Sequence, residues 1–215
     1  MNKIDIRSHI IPSGHKRNVF FIDNIPLYEY ISKWVRFKPK WLKSLSPIDD
    51  LECCWTDDYD FEGDARFMRF ILTQDEGGIT PILSCPDDFD FSCLVVVVEV
   101  EKQPDKVIWK RIGKVDHSGE LIEEEIRKGI AYVEAYSEDR KCFGDNIALA
   151  DVNSDEWGDW IGKNWSEELY RRRINYTYPY YQNKNNIKWF AKCNFEFDRI
   201  EYDALIEKCY GEVKK

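Results

Sequence analysis

Apolar residues first recur at helical spacing in Leu27, Tyr30, Ile31, Trp34 and Val35, which predicts an amphipathic helix. Asn24 is its expected N-cap, Pro26 lies near its first turn, and Pro39 stops the run. The residues before it read as an irregular basic start, and Lys40 to Pro47 as a linker. A carboxylate-rich stretch follows, DDLECCWTDDYDFEGD, where Gly63 and several Asp predict turns.

From residue 65 the pattern becomes β-branched and aromatic. ARFMRFIL, ITPIL, FSCLVVVVEVE and KVIWKRIGKV are each predicted as strands. FSCLVVVVEVE is apolar on both faces and so belongs in the middle of a covered sheet. A turn at Pro104 and Asp105 joins it antiparallel to the next strand. Ile122, Ile126, Ile130 and Val133 then make one helical stripe, with Ser118 as a cap candidate.

Ser154 can cap a short helix carrying Trp157, Trp160 and Ile161, which Gly162 ends. Ser166, with Glu167 and Glu168 in the first turn, starts a second helix leading to Arg171, Arg172 and Arg173. TYPYYQNKNN reads as an aromatic loop. Beyond it, Ile187, Trp189, Ala191, Cys193, Phe195 and Phe197 alternate with polar residues, a half-exposed strand. Asp198 and Glu201 form a capping-box-like pair opening a last helix through Tyr202, Leu205, Ile206 and Cys209 to Gly211. Strands come in runs rather than in regular alternation with helices. The expected class is therefore α+β, an antiparallel or mixed central sheet flanked by helices. Its expected organisation is a basic N-terminal segment, 1–48, packed on a main domain of 49–215.

Charge sharpens that division. Of the net −9, residues 1–48 hold nine Lys/Arg against three acids, while 49–90 hold thirteen acids against Arg66 and Arg69. Such a dipolar chain can close on itself or offer two unlike faces. The overall acidity counts against non-specific nucleic-acid binding. Seven cysteines without a CxxC pair indicate a reducing compartment, with most of them serving as small core hydrophobes. No secretory signal is evident, and the longest aliphatic run, Leu94 to Val98, is far below the ~20 residues of a membrane helix. A cytoplasmic protein that does not enter the membrane is expected.

Catalytic chemistry has little to build on. The three histidines, His9, His15 and His117, show no metal spacing and no nucleophile signature, and no glycine-rich phosphate loop is present. No catalytic residue, cofactor or metal is expected. The strongest surface signal is acidic: Asp57, Asp58, Asp60, Glu62 and Asp64 crowd one loop, and Asp87, Asp88 and Asp90 another. These loops suit a basic protein partner, since complementary charge raises association rates and selects partners. Trp165 is expected to be exposed and to extend that face towards Tyr176 to Tyr181, with Trp157 or Trp160 mostly core. Two other readings stand beside this one. The basic, aromatic stretch 33–43 has the composition of a nucleic-acid or nucleotide contact, and the carboxylates could serve a hydrolase directly or through a divalent metal.

The loops DDYDFEGD and CPDDFDF, the covered strand FSCLVVVVEVE with its hairpin, and the segment GDNIALADVNSDEWGDWI resemble the small acidic immunity proteins of bacterial polymorphic-toxin and contact-dependent inhibition systems. The resemblance spans residues 49–175. It implies a non-enzymatic cytoplasmic protein that neutralises a cognate toxin, frequently a basic nuclease, by covering its active site.

Overall fold

A computed structural model of the chain describes residues 1–35, 48–59, 62–86, 91, 94–116, 163 and 165–210. The fold is α+β. Strands β1 (Ile4–Ile10), β2 (Lys16–Ile22) and β3 (Ile25–Pro26) form a small sheet in that order. Strands β4 (Glu52–Cys53), β5 (Gly77–Ser84), β6 (Val95–Lys102), β7 (Lys106–Val115) and β8 (Ile187–Asp198) form a larger one, also in chain order. Among the described residues every pairing between these strands is antiparallel, with one isolated parallel bridge from Asn2 to Phe197. The helices are α1 (Leu27–Val35), α2 (Glu62–Leu72), α3 (Trp165–Arg172), α4 (Tyr178–Gln182) and α5 (Arg199–Tyr210).

One aromatic core joins the two sheets. Phe20 of β2 stands edge-on to Trp55 and Trp109, and Trp109 meets Phe197 the same way. Buried indoles need an acceptor: Trp55 Nε1 donates to the Pro81 carbonyl at 2.9 Å and Trp109 Nε1 to the Tyr202 hydroxyl at 3.0 Å. Val95 to Val98 are all fully buried, as expected for a strand covered on both faces. Ile6, Phe20, Ile22, Leu27 and Ile31 belong to this same core, while Ile11, Val19 and Phe21 form a small cluster of their own on the hairpin's other face.

Several expectations need correcting. The start of the chain is a β-hairpin, not irregular: Ile4, Ile6, Ser8 and Ile10 alternate with Asp5, Arg7 and His9, a period of two. Asn24 does not cap α1. With Asp23 it forms the two-residue turn between β2 and β3, both at positive φ (51° and 66°), a conformation Asp and Asn tolerate. Asp23 also accepts from the Lys3 N–H (2.8 Å) and the Asn2 amide (2.7 Å), and these bonds hold its carboxyl below the usual range.

ARFMRFIL is helical rather than extended. Asp64, Phe67, Met68, Ile71 and Leu72 fall on one buried face of α2 at helical spacing. Its phenylalanines and isoleucine suggest a strand by composition, but the arginines recur at i, i+3 rather than i, i+2.

The aromatic loop after residue 176 is mostly helical too. A π-helical turn, Arg173–Thr177, carries α3 into α4, and Pro179 occupies the first turn of α4, where a missing N–H costs little. Along β8, irregularities in the pairing with β7 break the simple alternation. Phe190 turns inward, while Trp189 is half-buried beneath the Arg111 guanidinium, 4.0 Å from its ring centre. The capping expectation for α5 is met: Asp198 Oδ1 accepts from the N–H groups of Ile200 (2.9 Å) and Glu201 (3.0 Å). The helices expected around Ile122 to Val133 and Ser154 to Gly162 lie outside the described residues, as does the linker after Pro39.

Candidate binding site

The acidic loop begins at a short edge strand. Cys53, Cys54 and Trp55 are buried and pin the chain to the core, so the residues after them must turn back to the surface. Thr56 Oγ1 accepts from the Asp58 N–H at 3.0 Å, a side-chain-closed turn. The Tyr59 hydroxyl then donates to the Cys54 carbonyl at 2.8 Å, and the Tyr210 hydroxyl donates to the same oxygen at 3.1 Å. Burial raises the ionisation of both phenols well above its ordinary value, so they remain neutral donors. Tied at both ends, the loop presents Asp57 and Asp58 to solvent on a fixed frame.

Glu62 is exposed in the first turn of α2, where a carboxylate also suits the helix dipole. None of Asp57, Asp58 and Glu62 forms an ion pair with a described residue. Asp64 is different and must be withdrawn from the surface group. It is 2% exposed, and its Oδ1 accepts from Arg173 Nε at 2.8 Å. The helical period explains this, because Asp64 shares the buried face with Phe67 and Met68. Asp60, Asp87, Asp88 and Asp90 lie outside the described residues.

Trp165, expected to be exposed, is half-buried at the start of α3, with the Arg172 guanidinium 5.9 Å from its ring. Tyr176 and Tyr181 are buried and Tyr178 half-buried, so this aromatic group is chiefly scaffold; Tyr181 donates to the Phe91 carbonyl at 2.7 Å. Trp157 and Trp160 lie outside the described residues. Arg171 and Arg173 are occupied at the α2–α3 contact, and Arg172 lies over the Trp165 ring within α3. Glu167 accepts from Arg66 (2.6 Å) and Arg171 (3.0 Å). Burial alone would raise the Glu167 pKa, but these two guanidinium groups outweigh it and lower it.

Beside Asp58 lies an open polar cleft of about 470 Å³. One wall is the far half of the β1–β2 hairpin, with Ser8, Lys16, Arg17 and Asn18. The other is the acidic loop and its neighbours: Glu52, Cys53, Thr56, Asp58 and Pro86. Arg17 and Glu52 form an ion pair at the junction. The basic N-terminal segment thus does close on the acidic one, at one edge. Sequence reasoning missed the hairpin wall, although its two-residue period was there to be read.

The basic, aromatic stretch starting at residue 33 is described only through Val35. There Trp34 packs on Tyr30 and Phe195, with ring centres 5.7 and 6.1 Å apart, which is core packing rather than an open stacking platform. Among the described residues no three His, Cys, Asp or Glu side chains come together as a metal site, and no described helix is long and apolar enough to cross a membrane. His9 stands edge-on to Phe21, 5.3 Å between ring centres. No protein-family model matches the chain, and no curated protein or solved structure shows significant similarity to it.

Proposed function

We propose that the protein is a non-enzymatic binding protein that captures a basic protein partner through the acidic rim of Asp57, Asp58 and Glu62. One observation carries the reading: Asp57 and Asp58, exposed and without an ion-pair partner among the described residues, sit on a loop held by buried side chains and by two phenolic hydrogen bonds to one carbonyl, and exposed Glu62 follows in the first turn of α2. A fixed frame lowers the ordering cost of association, and uncompensated charge steers a partner of opposite sign. Other carboxylates nearby are already committed, Glu52 to Arg17 and Asp64 to Arg173.

Taken with the resemblance of the acidic loops to immunity proteins, this surface suits an inhibitor of a basic toxin acting in the cytoplasm. The experiment is co-expression with the product of the neighbouring upstream reading frame. A salt-sensitive complex that suppresses the partner's toxicity supports the proposal. A neighbouring product that is neither toxic nor bound contradicts it.

A further inference from the structure

The pairing register of β1 and β2 places Ile4, Ile6, Ser8 and Ile10 on one face of the hairpin with Lys16, Asn18, Phe20 and Ile22. Near the root of the hairpin this face is core, with Ile6, Phe20 and Ile22 buried. Near its tip the same face turns mostly polar: beside the exposed Ile10, the residues Ser8, Lys16 and Asn18 are exposed and line the cleft. A sheet face that changes from apolar to polar while still confronting another element is suited to water or a ligand rather than to packing.

Among the described lining residues the charges balance. Lys16 and Arg17 face Glu52 and Asp58. Arg17 and Glu52 are already paired. Lys16 and Asp58 have no ion-pair partner among the described residues and stand on opposite walls, too far apart to pair with each other. Arg17 Nε is buried without an acceptor among the described residues, so it is closed to a ligand, and Lys16 is the cation this wall offers. A purely anionic ligand is disfavoured here by Asp58 and a purely cationic one by Lys16, whereas a ligand carrying both charges satisfies both walls. The volume is in the range of small-ligand sites, roughly 300–1,000 Å³, but the walls are too polar for an apolar guest.

We propose that this cleft binds a small dipolar ion of the amino-acid type, its carboxylate against Lys16 and its ammonium against Asp58. Ser8, Asn18 and the Thr56 hydroxyl supply neutral hydrogen bonds between the two ends. The site does not depend on the protein partner proposed above.

The test is a calorimetric or NMR titration of the full chain with ω-amino acids of increasing chain length, alongside alkylamines and alkyl carboxylates of the same lengths. Saturable binding with one preferred amino-acid length is expected, at least about tenfold tighter than either singly charged series. Lys16→Gln and Asp58→Asn should each weaken it about tenfold or more, the usual effect of removing a charge-assisted hydrogen bond. Both side chains are exposed, and circular dichroism checks that each variant is folded. Asp57→Asn, outside the cleft lining, should leave ligand affinity unchanged while weakening the protein complex, so the two proposals fail separately. Equal affinity for alkylamines would overturn the inference, because the cleft would then be only part of an acidic surface. Absence of saturable binding by every amino acid in the millimolar range would overturn it as well.

Discussion

Arg173 Nε donates to Asp64 Oδ1 at 2.8 Å, and the two side chains are only 6% and 2% exposed. Arg173 belongs to the π-helical turn after α3 and Asp64 to the first turn of α2, so the pair clamps two elements distant in sequence. Thr177 Oγ1 lies 3.4 Å from Arg173 Nη1, and the Phe91 ring lies beneath the guanidinium at 5.5 Å. Removing one partner leaves the other charge buried without its counter-ion in this pair. Arg173→Met or Asp64→Leu alone should therefore cost about 3–5 kcal/mol, while the double variant should recover much of that loss. Urea denaturation of the four proteins measures it.

The approach of α2 to α3 that makes this pair possible needs a glycine. A Cβ at Gly63 would collide with the Ser166 carbonyl oxygen and stand 3.0 Å from both the Leu169 Cβ and the Tyr170 nitrogen. Gly63→Ala, normally favourable in a helix, should instead cost about 1–3 kcal/mol through overpacking. A lowered melting temperature is the expected readout, and an unchanged or raised one would contradict the close contact.

Glu99 on β6 gives the fold an acid-sensitive point. Arg111 and Lys184 both reach its carboxylate at 2.5 Å. Burial alone would raise the Glu99 pKa, but the hydrogen bonds and charges of Lys184 and Arg111 outweigh that and lower it. A carboxyl with a depressed folded-state pKa stabilises the protein fully above its unfolded value, and that contribution is lost as pH falls through the folded one. Wild type should therefore lose stability from about pH 5 downwards, and Glu99→Gln should flatten this slope. Melting temperatures across that range provide the comparison.

The buried thiol of Cys54 and the half-buried ones of Cys193 and Cys209 should be chemically quiet. Burial pushes Cys54 up to about 12, and Cys193 and Cys209 to about 11. Since the thiolate is the reactive form, alkylation of Cys54 in native protein at neutral pH should proceed only as fast as the protein opens. Peptide mapping after timed alkylation reads this directly. Rapid labelling of Cys54 in native protein would contradict its burial.

Legibility in the sequence followed the strength of the local period. β6 and α5 were plain, because Val95 to Val98 are apolar on both faces and Asp198 caps its helix through two backbone donors. The period-two alternation of Ile4 to Ile10 was equally present but diluted by basic residues, so a hairpin passed for an irregular segment. Phe67, Phe70 and Ile71 give α2 strand-like composition, and only the i, i+3, i+4 burial of its inner face reveals the helix. That same period hides Asp64, which in sequence looks like its acidic neighbours yet pairs with a residue 109 positions away. Long-range pairing of that kind leaves no local trace. The polar cleft was invisible for a related reason, since its walls come from β1–β2 and from the loop after β4.

The most direct test of the proposed function is charge reversal on the acidic rim. Asp57, Asp58 and Glu62 are changed to Lys together, beside a control reversal of Asp75 and Glu76 at the opposite end of β5. Affinity for the basic partner is then measured over a range of salt concentrations. The rim variant should bind at least about tenfold more weakly, chiefly through slower association, with a shallower salt dependence, while the control stays near wild type. Unchanged affinity and salt dependence in the rim variant would contradict the proposal.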